Sequence, residues 1–142
     1  MPTESTVEKE RRSIPWTSIM IAGIAVIVAS TMANLIVRSV GIRVADVPGG
    51  FEPLASAEPV VFASITYGLV AVIAFAVTRY FASNIRRAWL TVGLVGLALS
   101  FIPPLSLSGQ EESNAAGIGI LLVMHLVAAA IFIPTMLRLA SE

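Results

Sequence analysis

The sequence predicts an all-α membrane protein, with four transmembrane helices in an up-down bundle and both termini cytoplasmic. Three observations carry that prediction. Charged residues make up only 13% of the 142 residues and hydrophobic ones 56%, whereas a soluble domain of this size is about 25% charged because so much of it is surface. The charges are also segregated: no Asp, Glu, Lys or Arg occurs in residues 13–37, 59–78, 88–110 or 113–137. As helices rising 1.5 Å per residue, runs of this length match a hydrocarbon core of about 30 Å. Finally, the basic residues are asymmetric. With both termini inside, Lys9, Arg11, Arg12, Arg79, Arg86, Arg87 and Arg138 flank the spans on the cytoplasmic side and only Arg38 and Arg43 lie outside, which is the positive-inside pattern. Trp16, Tyr80 and Trp89 then fall together at the cytoplasmic interface, where an aromatic belt belongs.

Each element follows from local chemistry. Residues 1–13 are mostly polar and lack a run of bulky apolar side chains, so they read as a disordered cytoplasmic tail ahead of a transmembrane domain over 14–139. Span one is expected over about 15–40, with Pro15 in its first turn. Its charge-free run is longer than the roughly 7–15 residues of a secretory h-region, so an uncleaved span is expected. Ser18, Ala22, Ala25, Ala29 and Ala33 recur at helical spacing, and small residues on one stripe let a neighbouring helix approach, so this stripe is the expected interior seam. From Gly41 to Ala57 Gly, Pro and acids dominate; Pro48-Gly49-Gly50 marks a turn, and Phe51 to Leu54 is apolar enough to dip into the interface. Span two is expected over 59–80, again opening on a proline. Span three, about 88–103, should end at Pro103-Pro104, because neither residue can donate a helical hydrogen bond. Leu105 and Leu107 would then carry the chain outward in non-helical form. Span four is expected over 114–138, capped by Ser113-Asn114 and bent near Pro134.

Composition also excludes several functions. The net charge is zero and no basic cluster forms a face, so nucleic acid is not an expected partner. With no cysteine and a single histidine, the chain has no disulfides, thiolate metal sites or bis-histidine haem ligation, and no metal or cofactor is expected. One candidate base stands without paired carboxylates or a nucleophile beside it, so no catalytic residues are assigned and no enzyme activity is expected.

The polar residues inside the spans are the remaining signal. Asn34 and Arg38 are one turn apart near the outer end of span one, Thr66 and Tyr67 lie in the outer half of span two, Ser100 lies near the outer end of span three, and His125 is near mid-depth of span four. Apart from Thr17, Ser18, Thr78 and Thr91 at the cytoplasmic ends, the strongly polar side chains thus gather in the outer half, which suggests an outward-facing pocket of Asn34, Arg38, Tyr67 and His125. Arg38 could grip a carboxylate, phosphate or quinone carbonyl with its guanidinium. Equally, it could snorkel to headgroups or pair with Asp46 or Glu52, while Asn34 bonds a neighbouring helix. His125 fits a structural helix-to-helix hydrogen bond, contact with a small ligand, or ligation of one pigment metal.

Four short spans, the Phe51-Glu52-Pro53-Leu54 loop, the Pro103-Pro104-Leu105 stop, and His125 followed by Ala128-Ala129-Ala130 and Pro134 together resemble an uncharacterised family of small bacterial four-helix membrane proteins, a domain of unknown function. The likeness covers about residues 15–138. It implies the fold and a bacterial inner-membrane location, and no reaction.

The leading expectation is therefore a non-catalytic accessory or structural membrane component, its partners the lipid bilayer and other membrane subunits or further copies of itself. Such a component needs only packing seams, including Gly93 with Gly96 and Gly117 with Gly119. The first alternative is a binder or carrier of a lipid-like or quinone-like molecule in the outer pocket. The second is a small oligomeric transporter, against which all nine acids lie outside the spans.

Overall fold

The structure, a computed structural model, describes residues 16–139. The expected tail over 1–13 lies outside the described residues. Six helices and no strand occur among the described residues: α1 (Trp16–Val44), α2 (Glu52–Ala55), α3 (Glu58–Phe81), α4 (Ile85–Ser100), α5 (Ile102–Ser106) and α6 (Ala115–Leu139). Four segments, Trp16–Val44, Glu58–Phe81, Ile85–Ser106 and Ala115–Leu139, are long and apolar enough to cross a membrane. The side chains they turn outward, Ile24, Val28, Ile36, Phe62, Val70 and Leu94 among them, are large, apolar and exposed, as lipid contact requires and water would not tolerate. The chain is a multi-pass membrane protein.

The helix ends obey ordinary capping chemistry. Asn84 caps α4 by accepting the Arg87 N–H at 3.1 Å, and Asn114 caps α6 by accepting the Gly117 N–H at 2.8 Å. Prolines sit in the first turns of α2, α3 and α5, where a missing N–H costs nothing. Pro134, in contrast, is accommodated inside α6.

Span three differs from its expectation. Pro103-Pro104 redirects the helix rather than ending it: α4 closes at Ser100, Phe101 donates to the Ala98 carbonyl at 3.3 Å, and α5 begins at once. Both prolines fall where a first-turn N–H has no partner anyway, and Leu105 N–H restores a four-residue bond to the Phe101 carbonyl at 3.1 Å. Leu105 is therefore helical, and Leu107 forms the C-cap of α5.

The seam of α1 also differs. Its buried residues are Ile19, Gly23, Val26, Ser30 and Asn34, one position along from the expected stripe, and Ala25 and Ala29 are exposed. An alanine facing lipid loses little, since lipid tails are as apolar as the interior, whereas Ser30 and Asn34 must turn inward. Polar side chains set the rotation of this helix.

α1 packs most extensively on α6 and α3, and α4 packs on α6 and α3 from the other side. Close approach is made at glycines. A Cβ on Gly41 would lie 2.7 Å from Ile120, one on Gly68 2.7 Å from Ile27, and one on Gly93 2.9 Å from Ile133. Of the two glycine pairs read as seams, Gly93 and Gly117 make such contacts, while Gly96 and Gly119 face no heavy atom within 4 Å. The buried apolar residues form two clusters. One gathers Ile19, Val26, Phe75, Trp89, Phe132 and Met136; the other gathers Phe51, Leu54, Val60, Ile120 and Met124. The Phe51–Leu54 segment, expected to dip into the interface, packs into the protein's second apolar cluster, with the Phe51 ring against Gly117.

Candidate functional site

A cavity of about 410 Å³ lies between the two apolar clusters, bounded by α1, α3, α4 and α6. Its size falls in the range of roughly 300–1,000 Å³ typical of small-molecule sites. The volume exists because small residues line it: Ala63, Gly68, Ala71 and Ala74 on α3, Gly93 and Gly96 on α4, Ala128 and Ala129 on α6. One end is closed by Trp89, held edge-to-face against Phe75 at 5.0 Å between ring centroids and donating its indole N–H to the Ile133 carbonyl at 3.2 Å. Toward the other end lie the polar side chains.

Three of the four residues expected at a pocket line this cavity: Asn34, Tyr67 and His125. Asn34 is only 7% exposed; its Nδ2 donates to Ser64 Oγ at 3.1 Å, and its Oδ1 has no protein partner. An unpaired buried acceptor costs about 1–3 kcal/mol. His125 Nδ1 lies 2.7 Å from the Leu121 carbonyl oxygen. A carbonyl only accepts, so Nδ1 carries the hydrogen in this bond and Nε2 is left to face outward from α6. The Tyr67 ring lies 6.3 Å from His125, and Phe101 lies 6.4 Å from it on another side.

Arg38 is the exception. It does not line the cavity; its Nε and Nη2 donate to the Leu54 carbonyl at 3.0 and 2.8 Å, and Nη2 also reaches the Ala55 carbonyl at 3.1 Å. Neither Asp46 nor Glu52 is its partner. The reason is the one-turn helix α2, whose last carbonyls have no intrahelical donor and present negative partial charge to the guanidinium. The expected set of four is therefore three in the cavity and one clamp beside it.

Ser30, Ser64, Ser100 and Trp89 complete the lining chemistry, Ser30 donating to the Ile27 carbonyl at 3.1 Å. Ser64 escaped the sequence reading, which singled out Thr66; the signal was its spacing three residues before Tyr67, which puts both on one face, whereas Thr66 is exposed on another. Ser100 is present but occupied, donating to the Leu97 carbonyl at 2.7 Å. Among the lining residues there is no Asp, Glu, Lys or Arg, and among the described residues no group of three His, Asp or Glu gathers as a metal site.

The family model for DUF6069, a family of unknown function, matches residues 10–142. The chain belongs to the DUF6069 family. This agrees with the resemblance drawn from the Phe51–Leu54, Pro103–Leu105 and His125 segments, all of which lie inside the match. No curated protein and no solved structure matches this DUF6069 chain. Its chemistry is therefore read from the cavity.

Proposed function

We propose that this DUF6069 protein binds a small, lipid-like or quinone-like molecule within the membrane, in the cavity between α1, α3, α4 and α6. The observation that carries this reading is the conjunction of a 410 Å³ apolar space with a buried Asn34 Oδ1 that lacks a protein partner. A component that served only to pack against other subunits would gain dispersion energy by filling such a space, and would leave no buried acceptor unpaired. The binding role is non-catalytic, since the lining offers one imidazole and no acid or nucleophile pair beside it.

The proposal includes a topology. Opposed contacts along α1 and α3 (Gly23 with Val72, Ile27 with Gly68, Asn34 with Ser64) run in opposite chain directions and support an up-down arrangement. The seven-to-two distribution of Lys and Arg supports cytoplasmic termini in a plasma membrane. The polar end of the cavity then lies toward the non-cytoplasmic side.

Purification in a mild detergent, followed by native mass spectrometry and a visible spectrum, tests the binding. The expected result is a retained apolar small molecule that is lost in Gly96→Leu. Position 96 lines the cavity and a Cβ there meets nothing within 4 Å, so the larger side chain occupies the space without a clash. A protein that is colourless, ligand-free and unchanged by Gly96→Leu would return the reading to an accessory membrane component.

A further inference from the structure

Four of the residues lining the cavity are exposed, Tyr67 (54%), Val70 (58%), Val92 (38%) and Gly96, and all four lie on α3 or α4. The remaining walls are buried or half-buried. The cavity therefore opens sideways between α3 and α4, across surfaces that in a membrane face acyl chains rather than water. Trp89 and Gly93 hold α4 at the closed end, while a Cβ at Gly96, one turn on, would meet no heavy atom within 4 Å. A molecule dissolved in the bilayer reaches the site without crossing water.

The free polar atoms specify its head. Asn34 Nδ2 is spent on Ser64 Oγ, leaving Oδ1 as an acceptor. His125 Nδ1 is spent on the Leu121 carbonyl; this bond fixes the tautomer, and in a neutral ring of that tautomer Nε2 is also an acceptor. Arg38, the nearest candidate cation on α1, is clamped on the Leu54 and Ala55 carbonyls, and no charged side chain lines the cavity. An anionic head would be desolvated there without a counter-charge. Ser64 and Tyr67, which also line the cavity, carry hydroxyls that can serve an acceptor, but a head bearing only acceptors would leave Asn34 Oδ1 and His125 Nε2 as they are, whereas a hydroxyl both donates and accepts.

Resting on the binding role proposed above, we infer that the ligand is an uncharged, membrane-dissolved amphiphile whose head is a hydroxyl donor, entering laterally between α3 and α4. Its hydroxyl meets Asn34 and His125 and its apolar chain extends toward Trp89. From His125 to Ile133 the distance along α6 is about 12 Å, room for a medium-length chain.

The two tryptophans of the chain are Trp16 and Trp89, and Trp16 does not line the cavity. In Trp16→Phe, the fluorescence of Trp89 alone then reports the closed end. The protein is reconstituted in phosphatidylcholine vesicles and titrated with ω-bromodecanol, its O-methyl ether and ω-bromodecanoate, whose bromine quenches a neighbouring indole. The expected result is saturable quenching by the alcohol at a concentration about tenfold below that needed for the ether, the effect of one or two desolvated hydrogen bonds, with the carboxylate weaker still. Asn34→Leu and His125→Phe should bring the alcohol and ether curves together. Equal titration of alcohol and ether, or tighter binding of the carboxylate, overturns the hydroxyl-donor inference while leaving the cavity as a binding site, provided Gly96→Leu abolishes the quenching. Quenching that Gly96→Leu leaves untouched overturns the binding role itself. The alcohol-to-ether comparison needs no substitution inside the cavity, so misfolding of a cavity variant does not obscure it.

Discussion

At the scale of single residues, Arg38 and Asn34 show how differently two polar side chains one turn apart can be used. Arg38 makes three charge-assisted bonds to the carbonyls that end α2. Its removal leaves those carbonyls without a donor, so Arg38→Ala should destabilise the protein by about 1–3 kcal/mol. Arg38→Lys should recover little of it, because an ammonium cannot present the planar fork that spans two carbonyls. Thermal unfolding in detergent measures both, and ligand retention should survive in Arg38→Ala under conditions where it stays folded. Loss of ligand without loss of stability would put Arg38 back in the site. That Asn34 and Arg38 share a face is legible from their spacing. That the arginine's partner is a backbone carbonyl is not, because every residue carries one and only the fold exposes these two.

At the scale of elements, the four spans are legible because the membrane demands long apolar helices, and each of the four charge-free runs contains the heart of one. The rotation of α1 is not legible from its alanines. Small residues are compatible with both lipid and a helix seam, and the buried polar pair Ser30 and Asn34 decides between them. The proline pair of span three breaks the regular bonding as expected, yet the chain continues as α5 because first-turn prolines are no obstacle to a new helix. Two contacts fix how elements dock. Gly117→Ala should cost about 1–3 kcal/mol, since the added Cβ would lie 2.9 Å from two atoms of the buried Phe51 ring, which has little room to retreat. Trp89→Phe should cost about 1 kcal/mol by deleting the indole bond to Ile133. Because this bond secures α4 at the closed end of the cavity, hydrogen exchange should also speed up along α4 more than along α1. Uniform exchange rates in that variant would argue against a localised anchor.

At the scale of the whole molecule, the proposed orientation makes a prediction that the absence of cysteine renders simple to test. In cells, Gln110→Cys in the loop before α6 should react with a membrane-impermeant maleimide applied from outside, and Ser83→Cys between α3 and α4 should react only after permeabilisation. The reverse pattern would invert the topology. Membership of the DUF6069 family adds no reaction to this picture, so the cavity's own chemistry is what function must be argued from. By itself the sequence determined that the chain crosses a membrane with four helices, because hydrophobicity is summed over long windows and depends on no particular contact. It also named Asn34, Tyr67 and His125, because polar groups are conspicuous where lipid penalises them. Only the tertiary structure decided that these three border one cavity while Arg38 is turned aside, and that the exposed residues of its lining all lie on α3 and α4. The physical reason is that a cavity is a property of what neighbouring helices fail to fill. That depends on which alanines and glycines meet across space, and small apolar residues look the same in a sequence whether they face a helix, a lipid or a void.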